Sequence, residues 1–196
     1  NAEGKDVVVI GGGDTAMDCV RTSIRQKAKS VKCLYRRDRE NMPGSAREVG
    51  NAIEEGVDFV WLTSPKSFVG KTIVEAVEVH KMKLGEPDSS GRRRLEIQVG
   101  SDYKIKADLV IKSLGFDPEN LPKLFNAEEL AVSKWGTIKI DLKSMQTNLD
   151  GVFAAGDIVR GASLVVWAIR DGRDAAMQIE KYLKTKISKN KSEVAA

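Results

Sequence analysis

Apolar residues along the first part of the chain alternate between short continuous runs and one helical stripe. The run Val7–Ile10 consists of four β-branched residues, which is typical of a strand covered on both faces. After it, apolar residues recur at the spacing of one helix face: Ala16, Met17, Cys19, Val20 and Ile24. A second, mostly apolar run at Val31–Tyr35 predicts a second strand. This order of elements predicts an α/β fold.

Similar patterns continue to about residue 115. A helix is predicted over Ala46–Glu55 and is ended by Gly56. A polar hairpin tip is predicted at 85–91, with the arginines of 92–94 beside it on the surface. Further strands are predicted by apolar or alternating runs: Val57–Leu62, Ile73–Leu84, Leu95–Val99, Lys104–Lys106 and Ala107–Ile111.

From Asp117 onwards the pattern is less regular. Prolines and polar residues lead to a predicted short strand at Thr137–Ile140. Apolar residues at helical spacing then predict one long helix over Ser163–Tyr182, and the lysines of 181–191 are typical of a helix end that frays into a tail. The change in character places a domain boundary near Gly115–Pro118.

The turn after the first strand carries the strongest motif in the sequence. Three consecutive glycines leave no side chains there, so backbone N–H groups can approach a ligand, and the two polar residues that follow favour helix initiation. With the strand before it and the helix after it, the spacing Gly-x-Gly-x-x-Ala is the fingerprint of a dinucleotide site, where a pyrophosphate lies on the positive end of a helix. A glycine-rich turn without a ligand is the alternative. We predict that this turn binds a dinucleotide through Gly11, Gly12, Gly13, Asp14, Thr15 and Ala16.

The second strand ends in two arginines, Arg36 and Arg37. In dinucleotide folds a carboxylate about 20 residues after the fingerprint accepts from the ribose 2′-hydroxyl and selects NAD. Two guanidinium groups at this place suit a 2′-phosphate instead, because each can form paired, charge-assisted hydrogen bonds with it. The sequence therefore predicts NADPH as the coenzyme, and a solvated run of charges is the alternative.

Two other positions bear on the chemistry. Gly115 follows the last predicted strand at the edge of the sheet where ligands bind in open α/β folds, and a glycine there would let the backbone pass close to a nicotinamide. A plain turn is an equally serious alternative. His80 is the only histidine, and its neighbours alternate as in a strand, so it is a poor candidate for acid–base catalysis.

Composition narrows the class of protein. Hydrophobic residues make up 41%, charged residues 31%, and the net charge of +4 is spread along the chain, which favours a solvated surface over a nucleic-acid-binding one. No run of about 18 apolar residues predicts a membrane span. Cys19 and Cys33 are not spaced as metal ligands, so we expect two buried thiols and a reducing, cytoplasmic location. The chain begins at Asn1, and we expect it to be a piece of a longer protein.

Four segments carry a family resemblance: GGGDTAMDCVR (11–21), YRRDRENMPGS (35–45), EEGV (54–57) and TNLDGVFAAGDIVRGASLVVWAIRDGRDAA (147–176). They resemble the small (β) subunit of glutamate synthase and, more widely, the flavoproteins with two dinucleotide-binding domains, including the NADPH arm of dihydropyrimidine dehydrogenase. The resemblance implies a Rossmann-like, three-layer NAD(P)-binding domain with a β-hairpin or meander insertion over 1–115. The C-terminal half of a split FAD-binding domain would follow over 116–196.

The resemblance also implies roles for individual residues. The motif residues of 11–16 would hold the NADPH pyrophosphate, and Arg36 and Arg37 would hold the 2′-phosphate. Gly156 and Asp157 match the second flavin signature, in which the aspartate bonds the ribityl chain of FAD. Ser163, Leu164 and Val165 would open the helix whose amino end points at the pyrimidine edge of the flavin, where a helix terminus stabilises negative charge on the reduced ring.

In the resembled enzyme NADPH delivers hydride to FAD, and the electrons pass through iron–sulfur centres to a large subunit that forms glutamate. The first flavin fingerprint and the iron–sulfur cysteines are absent from this sequence, so the expected partners are a missing N-terminal half that contains both and the large glutamate synthase subunit. No catalytic side chain is predicted, because the reacting atoms belong to the cofactors. Two alternatives stay open: a fragment that only binds NADPH, or the NADPH arm of a related flavoprotein, similar to dihydropyrimidine dehydrogenase or ferredoxin:NADP oxidoreductase.

Overall fold

The computed structural model of the protein describes residues 1–87 and 93–194, with side chains described as far as residue 188. Most of the predicted hairpin tip, together with Arg92, lies outside these residues. The chain divides into two compact units, Asn1–Leu114 and Gly115–Ala196.

The first unit is a mixed α/β structure built on a parallel sheet. The sheet has the strand order β3-β2-β1-β8, and all of its pairs are parallel, which confirms the predicted α/β class. In chain order the elements are β1 (Asp6–Ile10), α1 (Asp14–Arg25), β2 (Ser30–Tyr35), α2 (Ala46–Glu54), β3 (Asp58–Trp61), β4 (Thr63–Val69), β5 (Ala76–Pro87), β6 (Arg93–Ile97), β7 (Tyr103–Lys106) and β8 (Leu109–Lys112).

Strand β1 is buried on both faces, as its run of β-branched residues predicts. Val7 and Val9 pack into a core shared with α1 and α2. Val8 and Ile10 point the other way, into a second core formed with β5 and β7. The predicted three-layer arrangement of helices, parallel sheet and meander is therefore confirmed.

The third layer is an antiparallel meander in which β4, β5 and β6 are neighbours and β7 also pairs with β5. The sequence did not predict β4, because Pro65 lies within it and proline disfavours a central strand. In the structure β4 is an edge strand whose register with β5 shifts next to Pro65. Leu62 separates β3 from β4 with a φ of +49°, so the predicted strand over Val57–Leu62 ends one residue early.

Charged groups tie strands together at the amino end of the parallel sheet and join its two helices. The carboxylate of Asp6 accepts hydrogen bonds from Lys106 Nζ at 2.8 Å and from Ser30 Oγ at 2.7 Å, and these partners lower its pKa from 3.8 to about 2. On the helix side, the guanidinium of Arg21 donates from Nη2 to Glu55 Oε1 at 2.7 Å and lowers the pKa of that carboxyl. This pair joins α1 to the end of α2.

The second unit has few regular elements. Its helices are α3 (Leu121–Leu124), α4 (Asp157–Arg160) and α5 (Val165–Val194). Among the residues that the structure describes here, β-structure is limited to the bridges Val132–Ile138 and Gln146–Phe153. The predicted strand at Thr137–Ile140 is therefore wrong, since only one residue of it pairs with a neighbour.

Helix α5 begins two residues after its predicted start and continues to Val194, so the prediction of a fraying tail is wrong. Side chains in its second half are held by the turn at 150–153. Lys186 Nζ donates to Asp150 Oδ2 at 2.8 Å, and the ring of Tyr182 meets that of Phe153 edge-on with centroids 5.6 Å apart. These contacts stabilise the helix beyond the point where its apolar periodicity ends.

The two cysteines differ in burial. Cys33 in β2 is fully buried, and burial raises the pKa of its thiol to about 12. Cys19 in α1 is only half-buried and accepts a hydrogen bond from Ser113 Oγ at 3.4 Å, so the prediction of two buried thiols holds for Cys33 alone. Among the described residues, no helix is both long enough and apolar enough to cross a bilayer.

Candidate functional site

The turn between β1 and α1 lies at the carboxyl end of the parallel sheet. Its first two glycines are required by protein neighbours. Gly11 has a φ of +150°, and a Cβ there would lie 2.3 Å from the backbone oxygen of Ser113. A Cβ on Gly12 would lie 2.3 Å from Cε2 of Tyr35, so the tyrosine ring occupies the space of the missing side chain. These two glycines therefore allow close packing inside the protein.

Gly13 has a different environment. It is the N-cap of α1 with extended dihedral angles, φ −91° and ψ −179°, and no heavy atom lies within 4 Å of where its Cβ would be. The N–H groups of Asp14 and Thr15 in the first turn meet no acceptor within the described part of the chain. Ala16 is fully buried behind them, against the sheet. The open space at Gly13 thus faces free donors at the positive end of a twelve-residue helix.

The segment after β2 is attached to this turn by two hydrogen bonds. Gly44 N–H donates to the carbonyl of Gly12 at 2.8 Å, and Ser45 N–H donates to Asp14 Oδ1 at 2.9 Å. The carboxylate of Asp14, predicted to bind the cofactor directly, thereby contacts this loop. Sequence reasoning did not assign Gly44 or Ser45 to the site, although the Pro-Gly dipeptide before Ser45 marks a tight turn.

The two arginines that are predicted to bind the 2′-phosphate occupy different environments. Arg36 is exposed, whereas Arg37 is only 7% exposed. The Nε of Arg37 is buried without a hydrogen-bond partner, and no acidic side chain of the described residues forms an ion pair with its guanidinium. Leu62 N–H donates to the carbonyl of Arg37 at 3.0 Å and fixes its backbone. Burying a charge without a partner is costly, so Arg37 is the side chain here that most requires an anion.

Aromatic side chains line the same edge of the sheet and were not predicted as part of the site. Tyr35 and Trp61 are paired in the register of β2 and β3, with ring centroids 6.4 Å apart in an edge-on arrangement. Phe59 stacks on Trp61 at 4.9 Å. Tyr35 also donates its hydroxyl hydrogen to the carbonyl of Asn41 at 2.8 Å. These rings form an apolar surface at the end of β2, directly before Arg36.

Gly115 stands three residues beyond the end of β8. Its φ is +85°, and nothing lies within 4 Å of where its Cβ would be. The positive φ is enough to explain a glycine at this position. This is what the alternative of a plain turn, given in the sequence analysis, requires.

In the second unit, the predicted flavin residues lie on α4 and at the start of α5. Gly156 precedes α4 with φ +77° and ψ −151°, a conformation that glycine favours. Asp157 is exposed, and its carboxylate has no partner among the described side chains. Leu164 N-caps α5 by accepting from Trp167 N–H at 2.9 Å. Ser163, Leu164 and Val165 are all exposed there.

Proteins with sequences similar to this chain include two named as glutamate synthase [NADPH] small chains. The chain is 66% identical over 183 residues to a putative glutamate synthase [NADPH] small chain of Cereibacter sphaeroides, covering 93% of this chain and 44% of that protein. It is 62% identical over 186 residues to a glutamate synthase [NADPH] small chain of Azospirillum brasilense, covering 95% of this chain and 39% of that protein. The resemblance found from the motifs is therefore confirmed, while the chain spans only about two fifths of the length of these relatives.

The fold is confirmed by solved structures. A thioredoxin reductase of Lactococcus lactis superposes with a TM-score of 0.76 at 22% identity, over 93% of this chain and 54% of that one. The family model described as pyridine nucleotide-disulphide oxidoreductase matches residues 1–172. With most of its length covered by that model, the chain belongs to the pyridine nucleotide-disulphide oxidoreductase family.

Proposed function

We propose that this chain is the NADPH-binding, electron-input part of a flavoprotein similar to the glutamate synthase small subunit. Residues 1–115 would form the NADPH-binding domain, and residues 116–196 the C-terminal segment of the FAD-binding domain. The high identity to two proteins named as glutamate synthase [NADPH] small chains supports the proposal. So does the combination, in one unit, of an open helix terminus and a buried arginine without an anion.

The NADPH pyrophosphate would lie over Gly13, where the N–H groups of Asp14 and Thr15 can donate to it. Gly11, Gly12 and Ala16 would shape the turn from behind, because their own surroundings are protein atoms. The 2′-phosphate would lie against Arg37, with Arg36 contributing from its exposed position. The buried, unpartnered Nε of Arg37 is the single observation that carries this coenzyme assignment.

For FAD, the residues present fit the group they would hold. The exposed carboxylate of Asp157, which has no hydrogen-bond partner among the described residues, can accept from the hydroxyls of a ribityl chain. The start of α5, at Ser163–Val165, presents free N–H groups and the positive end of a thirty-residue helix. When bound, FAD would accept hydride and release electrons one at a time. The protein's part is to orient the flavin and to stabilise the negative charge that it acquires.

The second unit exposes apolar side chains beside these residues. Leu164 is 65% exposed and Val165 72%, and Val166 and Ile169 are also largely exposed. We infer that a further segment of the full-length polypeptide covers them and completes the FAD domain. This segment, or one next to it, would carry the first flavin fingerprint and the iron–sulfur cysteines. The electrons would pass to a large subunit that forms glutamate, and the unpaired cysteines support a cytoplasmic location.

The test uses the full-length polypeptide. Separate titrations with NADPH and with NADH, monitored by fluorescence, should show a clear preference for NADPH. The purified protein should be yellow, with a flavin absorbance band. A colourless protein that still binds NADPH would support the alternative of a module that only binds the coenzyme. Absence of binding by either coenzyme would refute the proposal.

A further inference from the structure

Asp171 carries a buried carboxylate in the second unit. Asp171 lies on α5 and is only 4% exposed. It accepts hydrogen bonds from Nε of Arg160 at 2.5 Å and from Nη2 of Arg160 at 2.6 Å, in a bidentate pair. The guanidinium of Arg160 first, with the backbone N–H of Gly156 as a minor cause, holds the pKa of Asp171 below its ordinary range.

Arg160 lies at one end of a short turn. It is the last residue of α4, which Gly156 precedes, so Asp157 lies within the turn whose end Asp171 holds. Glycines with positive φ flank the turn on both sides, Gly156 at +77° and Gly161 at +84°. Because glycine restricts the backbone least, the turn needs an external anchor to keep one conformation.

Arg160 is fixed from a second direction as well. Its guanidinium carbon lies 5.1 Å from the centre of the Trp167 ring, and that of Arg170 lies 5.6 Å from the same ring. Trp167 and Asp171 are one turn apart on α5, so the aromatic face and the carboxylate contact Arg160 at the same time. The anchor therefore belongs to the same helix whose first turn contains Val165.

We propose that Asp171 is a positioning residue of the flavin site: through Arg160 it holds the carboxylate of Asp157 at a fixed place relative to the start of α5. This inference rests on the proposed function. Among the described residues, no hydrogen bond or ion pair is formed by the side chain of Asp157, so the backbone around it sets its direction. Two elements proposed to meet FAD, the Asp157 turn and the helix terminus, then behave as one rigid piece before the cofactor binds.

The experiment measures FAD release from the full-length holoprotein by the rise in free-flavin fluorescence. Asp171→Asn removes the charge while keeping the shape, and Arg160→Met removes the other partner at an exposed position. Glu180→Gln is the matched control, because Glu180 lies further along α5 and pairs with the exposed Lys184 at 2.7 Å on the surface. The double variant Asp171→Asn/Arg160→Met completes a thermodynamic cycle.

We expect FAD to dissociate about tenfold faster from each single variant, with the visible circular dichroism of the bound flavin altered. The double variant should release FAD no faster than the single ones, and Glu180→Gln should stay within about twofold of the wild type. If Arg160→Met or Asp171→Asn lowers the melting temperature but leaves FAD release and the flavin spectrum unchanged, the pair is merely structural and the inference is wrong. Additive effects would also overturn it. A wild-type protein that holds no FAD would instead refute the proposed function.

Discussion

Replacing Arg37 with methionine should lower the affinity for NADPH without lowering the stability of the fold. Methionine has a similar length and no charge, so it can fill the same buried space. The free energy of unfolding should stay the same or rise, because a buried guanidinium without an ion-pair partner is removed. Affinity for NADPH should fall at the same time, since the 2′-phosphate loses its buried donor.

The size of the loss follows from the burial of each arginine. A hydrogen bond to a charged group contributes about 1.5–3 kcal/mol, which corresponds to a rise in the Kd for NADPH of about tenfold to 150-fold. Arg36 is exposed, so Arg36→Met should cost about 1 kcal/mol or less, a change of about fivefold at most. Arg36→Met is thus the matched control for the effect of burial.

The assay is titration of the full-length protein with NADPH and with NADH, alongside denaturant unfolding of each variant. Affinity for NADH, which lacks the 2′-phosphate, should not change in Arg37→Met. An equal loss of affinity for both coenzymes would show that the arginine acts through the fold. An unchanged Kd for NADPH would refute the assignment of Arg37 to the 2′-phosphate.

Three further outcomes are expected. Gly12→Ala should lower the melting temperature, because its Cβ would collide with the ring of Tyr35, whereas Gly13→Ala should leave stability intact and weaken NADPH binding; the reverse pattern would contradict the assignment. Asp6 has its pKa lowered from 3.8 to about 2, so its carboxylate stabilises the fold above pH 3.8 and this contribution is lost as the pH falls towards 2. The difference in unfolding free energy between wild type and Asp6→Asn should therefore shrink over that interval, and a constant difference would argue against the ion pair. Cys33, with a pKa of about 12, should resist iodoacetamide at pH 8 until the protein is unfolded, as measured by mass spectrometry; rapid labelling of the native protein would show that the thiol is accessible.

The strand, turn and helix at the start of the chain were predictable because each has its own local signal. A β-branched run, consecutive glycines and a helical stripe occur in the order that a parallel α/β unit requires. The reasons for the individual glycines were not predictable. The neighbours that exclude a Cβ at Gly11 and Gly12 come from β8 and β2, and only the folded chain brings them there.

Other features depended on tertiary contacts that no local pattern reports. Strand β4 contains Pro65 and forms because it is an edge strand. The second half of α5 lacks a clear apolar stripe, yet contacts with the 150–153 turn hold it. Likewise, two adjacent arginines look equivalent in the sequence, and only the folded structure shows that Arg37 is the buried one.

Strand β1 is a wall common to both cores of the first unit, with Val7 and Val9 on one side and Val8 and Ile10 on the other. Neither layer can detach without exposing one face of this strand to water. Helices and meander must therefore melt together, so that unit unfolds in a single all-or-none transition. The glycine turn at the end of β1 therefore keeps its conformation until the whole unit unfolds.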